Sequence, residues 1–239
     1  MTAKNPPSLT PDQMLPADLP ADPLPIFRDW FDEAHRRAQQ PNPNAMTLAT
    51  VDPDGRPSAR IVLCKDIDIE HGFLTFHTNR QSRKGRALEA HPHAALIFHW
   101  DHMDRQVRVE GPVVVAPDIE SDAYFRTRSI KSRLGAWASH QSEPLDKRST
   151  LVTNFAKAAA KYGIDVAKEV VAGKRGGGEG RGVPRPPHWG GYRVWFRSVE
   201  LWMGSTIRLH DRARWDRDLT QADDYSFTAT PWRSTRLYP

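Results

Sequence analysis

The sequence predicts a closed antiparallel β-barrel, mainly β with peripheral helices. Short apolar or alternating runs recur along the chain, each bounded by turn residues. They follow one another without regularly alternating helices, which argues against a doubly wound parallel sheet. No Gly-x-Gly-x-x-Gly follows a strand, and Gly176-Gly177-Gly178 lacks the preceding strand that the dinucleotide fingerprint needs.

Residues 1–25 carry Pro6, Pro7, Pro11, Pro16, Pro20, Pro23 and Pro25 and no periodicity. They read as a mobile arm, with a single domain taken to run over 22–239. Asp22-Pro23 offers an N-cap and a first-turn proline. Behind it Ile26, Phe27, Trp30, Phe31, Ala34 and Ala38 fall on one helical face, and the helix should end before Pro41. Residues 45–51 and 58–65 read as a hairpin around Asp52-Pro53-Asp54-Gly55. Further strands are expected over 73–78, 94–100 and 106–115, with a short helix over 82–90 capped by Ser82. Residues 118–128 and 130–140 read as two helices or one bent helix. Residues 145–162 also read as helical, with Leu151, Phe155, Ala158 and Ala159 apolar. Gly173–Gly182 is a basic, low-complexity run that reads as a solvated loop insertion near 173–185. Strands are expected again over 192–196, 199–202, 208–215 and 232–237.

The 239 residues are 38% hydrophobic and 26% charged, with a net charge of +5. That balance supports a packed core and favours anionic partners: nucleic acid, acidic membrane or phosphorylated small molecules. The one cysteine, Cys64, excludes an internal disulfide and fits a reducing compartment. It lies in an apolar strand-like run and reads as a buried thiol. No secretory signal or membrane-length apolar run is seen, so the cytoplasm is the expected location and no membrane partner is expected. His91, His93, His99 and His102 show no ligand spacing for a metal.

Four stretches carry possible chemistry. On a regular strand, Arg208, His210 and Arg212 share one face over about 13 Å. Such a triplet suits an anion, or else a solvated edge. Ser82-Arg83-Lys84 opens a helix just after a strand, where free N–H groups and the dipole favour phosphate. Arg60 and Lys65 end an apolar strand on opposite faces, and both reach one ligand only if the strand bulges or the ligand wraps its edge. On a continuous helix Tyr124, Arg128 and Ser132 share a face, a phenol, guanidinium and hydroxyl that can clamp a phosphate.

In their order along the chain these stretches resemble the pyridoxine 5'-phosphate oxidase family from about Asp22 to Pro239. The matching runs are Leu19–Pro23, Arg60–Leu63, Thr78-Asn79, Ser82–Lys84, Arg105–Val107, Gly135–Trp137, Gln141-Ser142, Trp189–Gly191 and Arg208–Arg212, the last being the most specific. The resemblance implies an antiparallel, Greek-key-like split β-barrel that dimerises and binds FMN at the subunit interface, with residues 189–239 as the dimerisation and active-site segment. The implied FMN contacts are Arg60, Ile61, Val62, Leu63, Cys64, Lys65, His77, Thr78, Arg83, Lys84, Gln106, Gln141, Ser142, Trp202 and Arg212. The implied substrate contacts are Lys65, Tyr124, Arg128, Ser132, Arg208 and His210, the last two also catalytic. The implied reaction moves hydride from the C4' carbon of a phosphorylated B6 vitamer to flavin N5. Dioxygen then reoxidises the flavin and gives hydrogen peroxide, and an amine substrate releases ammonia.

The chain departs from the family in carrying His77 where Tyr is common. Residues 1–18 offer only Lys4 as a base and no Tyr where many members have a lid. Rival readings are a flavin-barrel oxidase of phenazine type, a non-catalytic flavin or haem barrel, and an RNA binder. The last requires aromatics interleaved with bases, and Gly173–Gly182 has none, so no nucleic-acid partner is expected.

Overall fold

The computed structural model describes residues 14–165, 182–205 and 207–239. Helix α1 (Leu24–Arg37) leads into β1 (Ala45–Val51), β2 (Pro57–Asp68), β3 (Phe73–Asn79), α2 (Arg83–Ala90), β4 (His93–Trp100) and β5 (Arg105–Val115). Helices α3 (Asp118–Thr127), α4 (Ile130–Ala138) and α5 (Arg148–Lys161) follow. The chain then returns as β6 (Trp189–Trp195), β7 (Ser198–Met203), β8 (Asp211–Asp216), β9 (Leu219–Gln221), β10 (Phe227–Ala229) and β11 (Arg233–Arg236).

The strands close in the order β5-β4-β1-β2-β3-β6, with β6 pairing back onto β5, so the barrel is antiparallel and six-stranded. Strands β7, β8 and β11 extend the sheet beyond it. Strands β6 and β7 act as one long strand beside β5. Val194 faces Val113 and Ser198 faces Glu110, so one extra residue sits on the β6–β7 side. At this bulge, Trp195–Arg197, the far edge of the long strand changes partner from β3 to β8. Gly111 lies opposite. A Cβ there would stand 1.8 Å from the Trp195 carbonyl oxygen, so only glycine admits the kinked backbone.

Period-two burial fills the barrel. Met46, Leu48, Leu96, Phe98, Val107, Val109, Leu201 and Trp215 are buried, and α1 contributes Leu24, Phe27, Trp30 and Ala34. Pro23 rather than Asp22 takes the N-cap position of α1, and the Asp22 carboxylate, one residue earlier than a cap, accepts from Leu24 N at 2.9 Å. A second cluster joins α4 to α5 through Ile130, Leu134, Ala158, Ala159 and Val183.

The structure corrects several expectations. The helical stretch after β5 is two helices: Arg128 is extended (φ −74°, ψ 147°) and Ser129 caps α4 by accepting from Ser132 N. Tyr124, Arg128 and Ser132 therefore do not share the face of one helix. The expected strand over 208–215 begins only at Asp211, because Arg208 is left-handed at φ 63° and cannot join a ladder. Arg208, His210 and Arg212 are not an alternating row. On α5 Leu151 is exposed, while Ala158 and Ala159 are buried. The short β9–β10 hairpin was not foreseen.

The arm is narrower than expected. Leu15 is buried, its N–H donates to Asp211 Oδ2 at 2.7 Å, and Trp215 Nε1 donates to Pro20 O at 2.8 Å. The segment from residue 14 is thus laid against β8, held by hydrogen bonds between its main chain and the side chains of Asp211, Trp215 and Arg236. The glycine-rich run lies outside the described residues except Gly182. Val183 and Pro184 are docked, Trp137 Nε1 donating to Pro184 O at 2.8 Å.

Gly111→Ala should destabilise the fold by about 1–3 kcal/mol, read as a loss of several degrees in Tm by calorimetry. An unchanged Tm would show that the bulge does not depend on the missing side chain.

Candidate active site

Strands β2 and β3 pair from Asp68↔Phe73 to Cys64↔Phe76, and the ladder ends there. A bulge at Lys65 shifts the register just before the end. Beyond it, Ile61, Val62 and Leu63 of β2 and His77, Thr78 and Asn79 of β3 line a cleft of about 690 Å³. That volume lies in the range of small-molecule sites, about 300–1,000 Å³. The other walls are Lys65, Lys84, Tyr124, Arg128, Ser132, Gly135, Ala136, Ser139, Gln141 and Trp189.

The cleft holds three cations, Lys65, Lys84 and Arg128, and no carboxylate in its lining. Lys84 is buried, with Nζ 2.9 Å from Gln141 Oε1, 3.1 Å from Ser82 Oγ and 3.2 Å from Thr78 Oγ1. All three partners are neutral. Burial, reinforced by Arg60, pulls its pKa down to about 8. Arg128 lies over the Trp189 ring at 4.6 Å and its Nη1 is buried without a hydrogen-bond partner. Burial lowers its pKa as well. An anion would relieve both groups, so this donor set suits a phosphate.

His77 packs against Tyr124 at 4.2 Å and Trp189 at 5.3 Å between ring centroids. Burial, with Arg128, Lys65, Arg80 and Arg185 nearby, pushes its pKa down to about 4. The imidazole is neutral at pH 7.

The remaining expected residues stand elsewhere. Arg60 donates to Thr50 Oγ1 at 2.7 Å and Leu48 O at 3.3 Å, near enough to Lys84 and Arg83 to act on them electrostatically. Arg83 is held by Asp52, with Nε 2.9 Å from Oδ2, and this pair keeps the Asp52 carboxyl below its usual range. Cys64 faces the core, and burial pushes its thiol up to about 12. Ser142 follows Gln141 with φ 75° and does not line the cleft.

A second group lies on the sheet extension. Gln106, Trp202 and Arg212 are consecutive cross-strand neighbours on β5, β7 and β8. Their buried neighbours Val107, Leu201 and Ala213 point the other way, into the core. Arg212 donates through Nε and Nη2 to Glu200 Oε1 at 3.1 and 2.9 Å. His210 lies against Trp202, with ring centroids 4.7 Å apart and planes tilted by 36°, and its Nδ1 accepts from Ser205 N. Arg208 is exposed in the turn before β8. None of these residues lines the cleft of the same chain.

Sequence reasoning missed Asn79, Gly135, Ala136, Ser139 and Trp189 as lining residues. Four of them lie in or beside runs that carry the family resemblance, a signal that would have found them. The bulge at Lys65 was the condition set for that side chain to reach the ligand side of β2, and it is present.

Among the described residues, no helix is long and apolar enough to cross a membrane. Residues 31–162 match the family described as pyridoxamine 5'-phosphate oxidase, and residues 189–239 match the pyridoxine 5'-phosphate oxidase C-terminal dimerisation region. The chain is 45% identical over 240 residues to a pyridoxine/pyridoxamine 5'-phosphate oxidase of Azorhizobium caulinodans, covering 100% of this chain and 98% of the relative. It is 48% identical over 223 residues to that of Burkholderia lata, covering 93% and 92%. Among solved structures, PhzG from Burkholderia lata in complex with tetrahydrophenazine-1-carboxylic acid matches at 30% identity and a TM-score of 0.75, over 97% of this chain and 98% of that one. A pyridoxamine 5'-phosphate oxidase-related, FMN-binding protein of Nostoc punctiforme shares the fold at 16% identity and a TM-score of 0.63, over 89% of this chain and 97% of that one. With both family regions matched in order and relatives above 40% identity along nearly the whole length, the chain belongs to the pyridoxine/pyridoxamine 5'-phosphate oxidase family of split-barrel oxidoreductases.

Proposed function

We propose that this protein oxidises pyridoxamine or pyridoxine 5'-phosphate with O2 to pyridoxal 5'-phosphate, using FMN, in B6 biosynthesis and salvage. Hydrogen peroxide is the second product, and the amine substrate also takes up water and releases ammonia. The observation that carries this reading is the cleft lined by Lys65, Lys84 and Arg128 with no carboxylate among them. Relatives named for this activity at 45–48% identity support it.

FMN, when bound, supplies the two-electron chemistry. The chain's own residues bind and orient. Lys84 and Arg60 would hold the FMN phosphate, and Arg83 would join them by sharing its hold on Asp52. Thr78, Gln141 and Ser142 offer polar partners, and the β2 segment Ile61–Lys65, Cys64 included, offers its backbone edge beside His77. Lys65, Tyr124, Arg128 and Ser132 hold the substrate phosphate. Arg128 is the strongest donor of that set, because its Nη1 has no partner within the chain. Arg208 and His210 hold the pyridine ring, while Gln106, Trp202 and Arg212 border the flavin ring. The left-handed backbone of Arg208, about 1–2 kcal/mol above its relaxed form, is a local strain of the kind that functional loops hold.

The two groups belong to different faces of one chain, so the working site takes one group from each protomer of a homodimer. The C-terminal match to a dimerisation region supports this arrangement. A second reading, an oxidase of an aromatic acid without phosphate, is favoured by the likeness to PhzG with its bound tetrahydrophenazine-1-carboxylic acid.

The deciding assay supplies pyridoxamine 5'-phosphate, pyridoxine 5'-phosphate, their unphosphorylated forms and tetrahydrophenazine-1-carboxylic acid to the FMN-loaded protein, and follows peroxide. Turnover of the phosphates alone supports the proposal, and turnover of the acid alone replaces it. Arg128→Ala should raise KM for the phosphorylated substrate at least about tenfold, with a smaller change in kcat.

Lys84 gives a pH signature. Below pH 8 its ammonium is charged before FMN arrives. Above pH 8 the free site must first take up a proton, so affinity falls as pH rises. The FMN Kd should climb by up to about tenfold per pH unit above 8, and Lys84→Met should flatten that rise. A wild-type Kd constant from pH 7 to 9.5 would refute the assignment.

Assayed with substrate well below KM, where each variant alone is strongly impaired, Arg128→Ala and Arg208→Ala should regain about one quarter of wild-type activity when co-assembled, because half of the dimers then carry one intact site of two. No recovery would place both residues in a site built by a single chain.

A further inference from the structure

We propose that His77 is a positioning residue for the phosphate end of the cleft: its uncharged ring fixes Tyr124 and Trp189, and through Trp189 the guanidinium of Arg128. The proposal rests on the reading of Tyr124 and Arg128 as phosphate ligands.

The geometry starts at β6. Gly191 pairs with His77 across the β3–β6 ladder, and its N–H donates to Ser121 Oγ at 3.0 Å. Ser121 is fully buried, so this bond pins the middle of α3 onto β6. Tyr124, one turn later, then falls against His77, with centroids 4.2 Å apart and planes 27° apart. Trp189 lies against the same ring at 5.3 Å and 16°. The absent side chain of Gly191 leaves the imidazole its place, since a Cβ there would stand 3.0 Å from His77 Nε2. Arg128 completes the set over Trp189 at 4.6 Å, and Lys65 lies 5.7 Å over Tyr124.

His77 makes no hydrogen bond through either ring nitrogen, and both are buried. Its contribution is therefore a flat surface rather than a donor. Around it stand Lys65 of β2, Arg80 after β3, Arg128 at the end of α3 and Arg185 before β6, all cationic. A charged side chain at 77 would add to that repulsion and loosen the rings it now holds. Arg128 ends its helix in extended backbone and has no side-chain hydrogen bond through Nη1. The ring set is what orders it before an anion arrives, which lowers the entropy cost of binding.

The test compares His77→Ala with His77→Phe in the FMN-loaded protein. His77→Ala should raise KM for pyridoxamine 5'-phosphate about tenfold or more, with kcat and the FMN Kd within about threefold. His77→Phe keeps a flat, uncharged ring and should return KM to within about threefold of wild type. An unchanged KM in His77→Ala, a loss of kcat or FMN instead, or equal damage in His77→Phe would overturn the proposal. If His77→Ala fails to fold, His77→Leu, which fills the volume without a flat ring, is judged by the same criteria. If the wild type oxidises neither B6 phosphate, the functional reading itself has failed. The same variants titrated with inorganic phosphate then decide the role of His77: binding weakened by Ala and kept by Phe supports it, and any other pattern, including no binding to wild type, overturns it.

Discussion

The contact on which the rest of the molecule depends is the Trp195 carbonyl pressed against Gly111. There the long β6–β7 strand takes in one extra residue and leaves β3 for β8. The bulge falls where β3 ends, since all seven β3 residues pair with β6 up to Phe73↔Trp195. The bulge is held from both sides: Arg197 N donates to Glu110 O at 3.0 Å, and Phe196 N to Gly72 O at 2.9 Å. Arg217 adds its buried guanidinium, donating to Phe196 O at 2.8 Å and lying over Trp232 at 4.2 Å. A local irregularity thus divides one sheet into a closed barrel and an open wing, and each part presents its own functional face.

The two faces differ in electrostatics. On the wing, cations are neutralised within the chain: Glu200, buried, takes both Arg108 and Arg212. In the cleft, Lys84 has only neutral partners and Arg128 has an unfilled donor. A buried donor without a partner costs about 1–3 kcal/mol. The fold bears that cost where β2 and β3 part, and the aromatic set of Tyr124, His77 and Trp189 covers part of it. Charge left uncompensated at one place marks that place as built for an anion more clearly than the overall excess of bases does.

Much of the barrel was legible because its signals are local. Asp52-Pro53-Asp54-Gly55 can hardly be other than a turn, and the flanking alternation gave β1 to the residue. Lys84 was legible from helix-start geometry and Lys65 from its place at a strand end, whereas Ile61, Val62, Leu63, His77 and Thr78 came from the family resemblance alone. The failures are equally physical. Ser129 captures Ser132 N with its hydroxyl, a side-chain bond that competes with helix continuation between α3 and α4. Tyr124, Arg128 and Ser132 nonetheless meet in the cleft, brought together by a helix break rather than a helix face. Arg208 adopts φ 63°, which no propensity of arginine announces. The docking of residues 14–20 depends on Asp211, Trp215 and Arg236, some two hundred positions away, and no local pattern encodes it. The role of Trp189 was hidden because an aromatic opening a strand reads as core.

Cys64 stands at the last paired position between β2 and β3, buried, with its thiol pushed up to about 12 and near 3.4 Å from Asp66 O. It is the one cysteine in 239 residues. A thiol so placed is inert while the ladder is closed, since reagents attack the exposed thiolate. It becomes reactive only when the strands that frame the cleft separate. Its labelling rate therefore counts openings of that seam, so the native sequence contains its own clock for local unfolding beside the site. For the same reason, a cysteine introduced at the surface can carry a probe without competition from the native thiol.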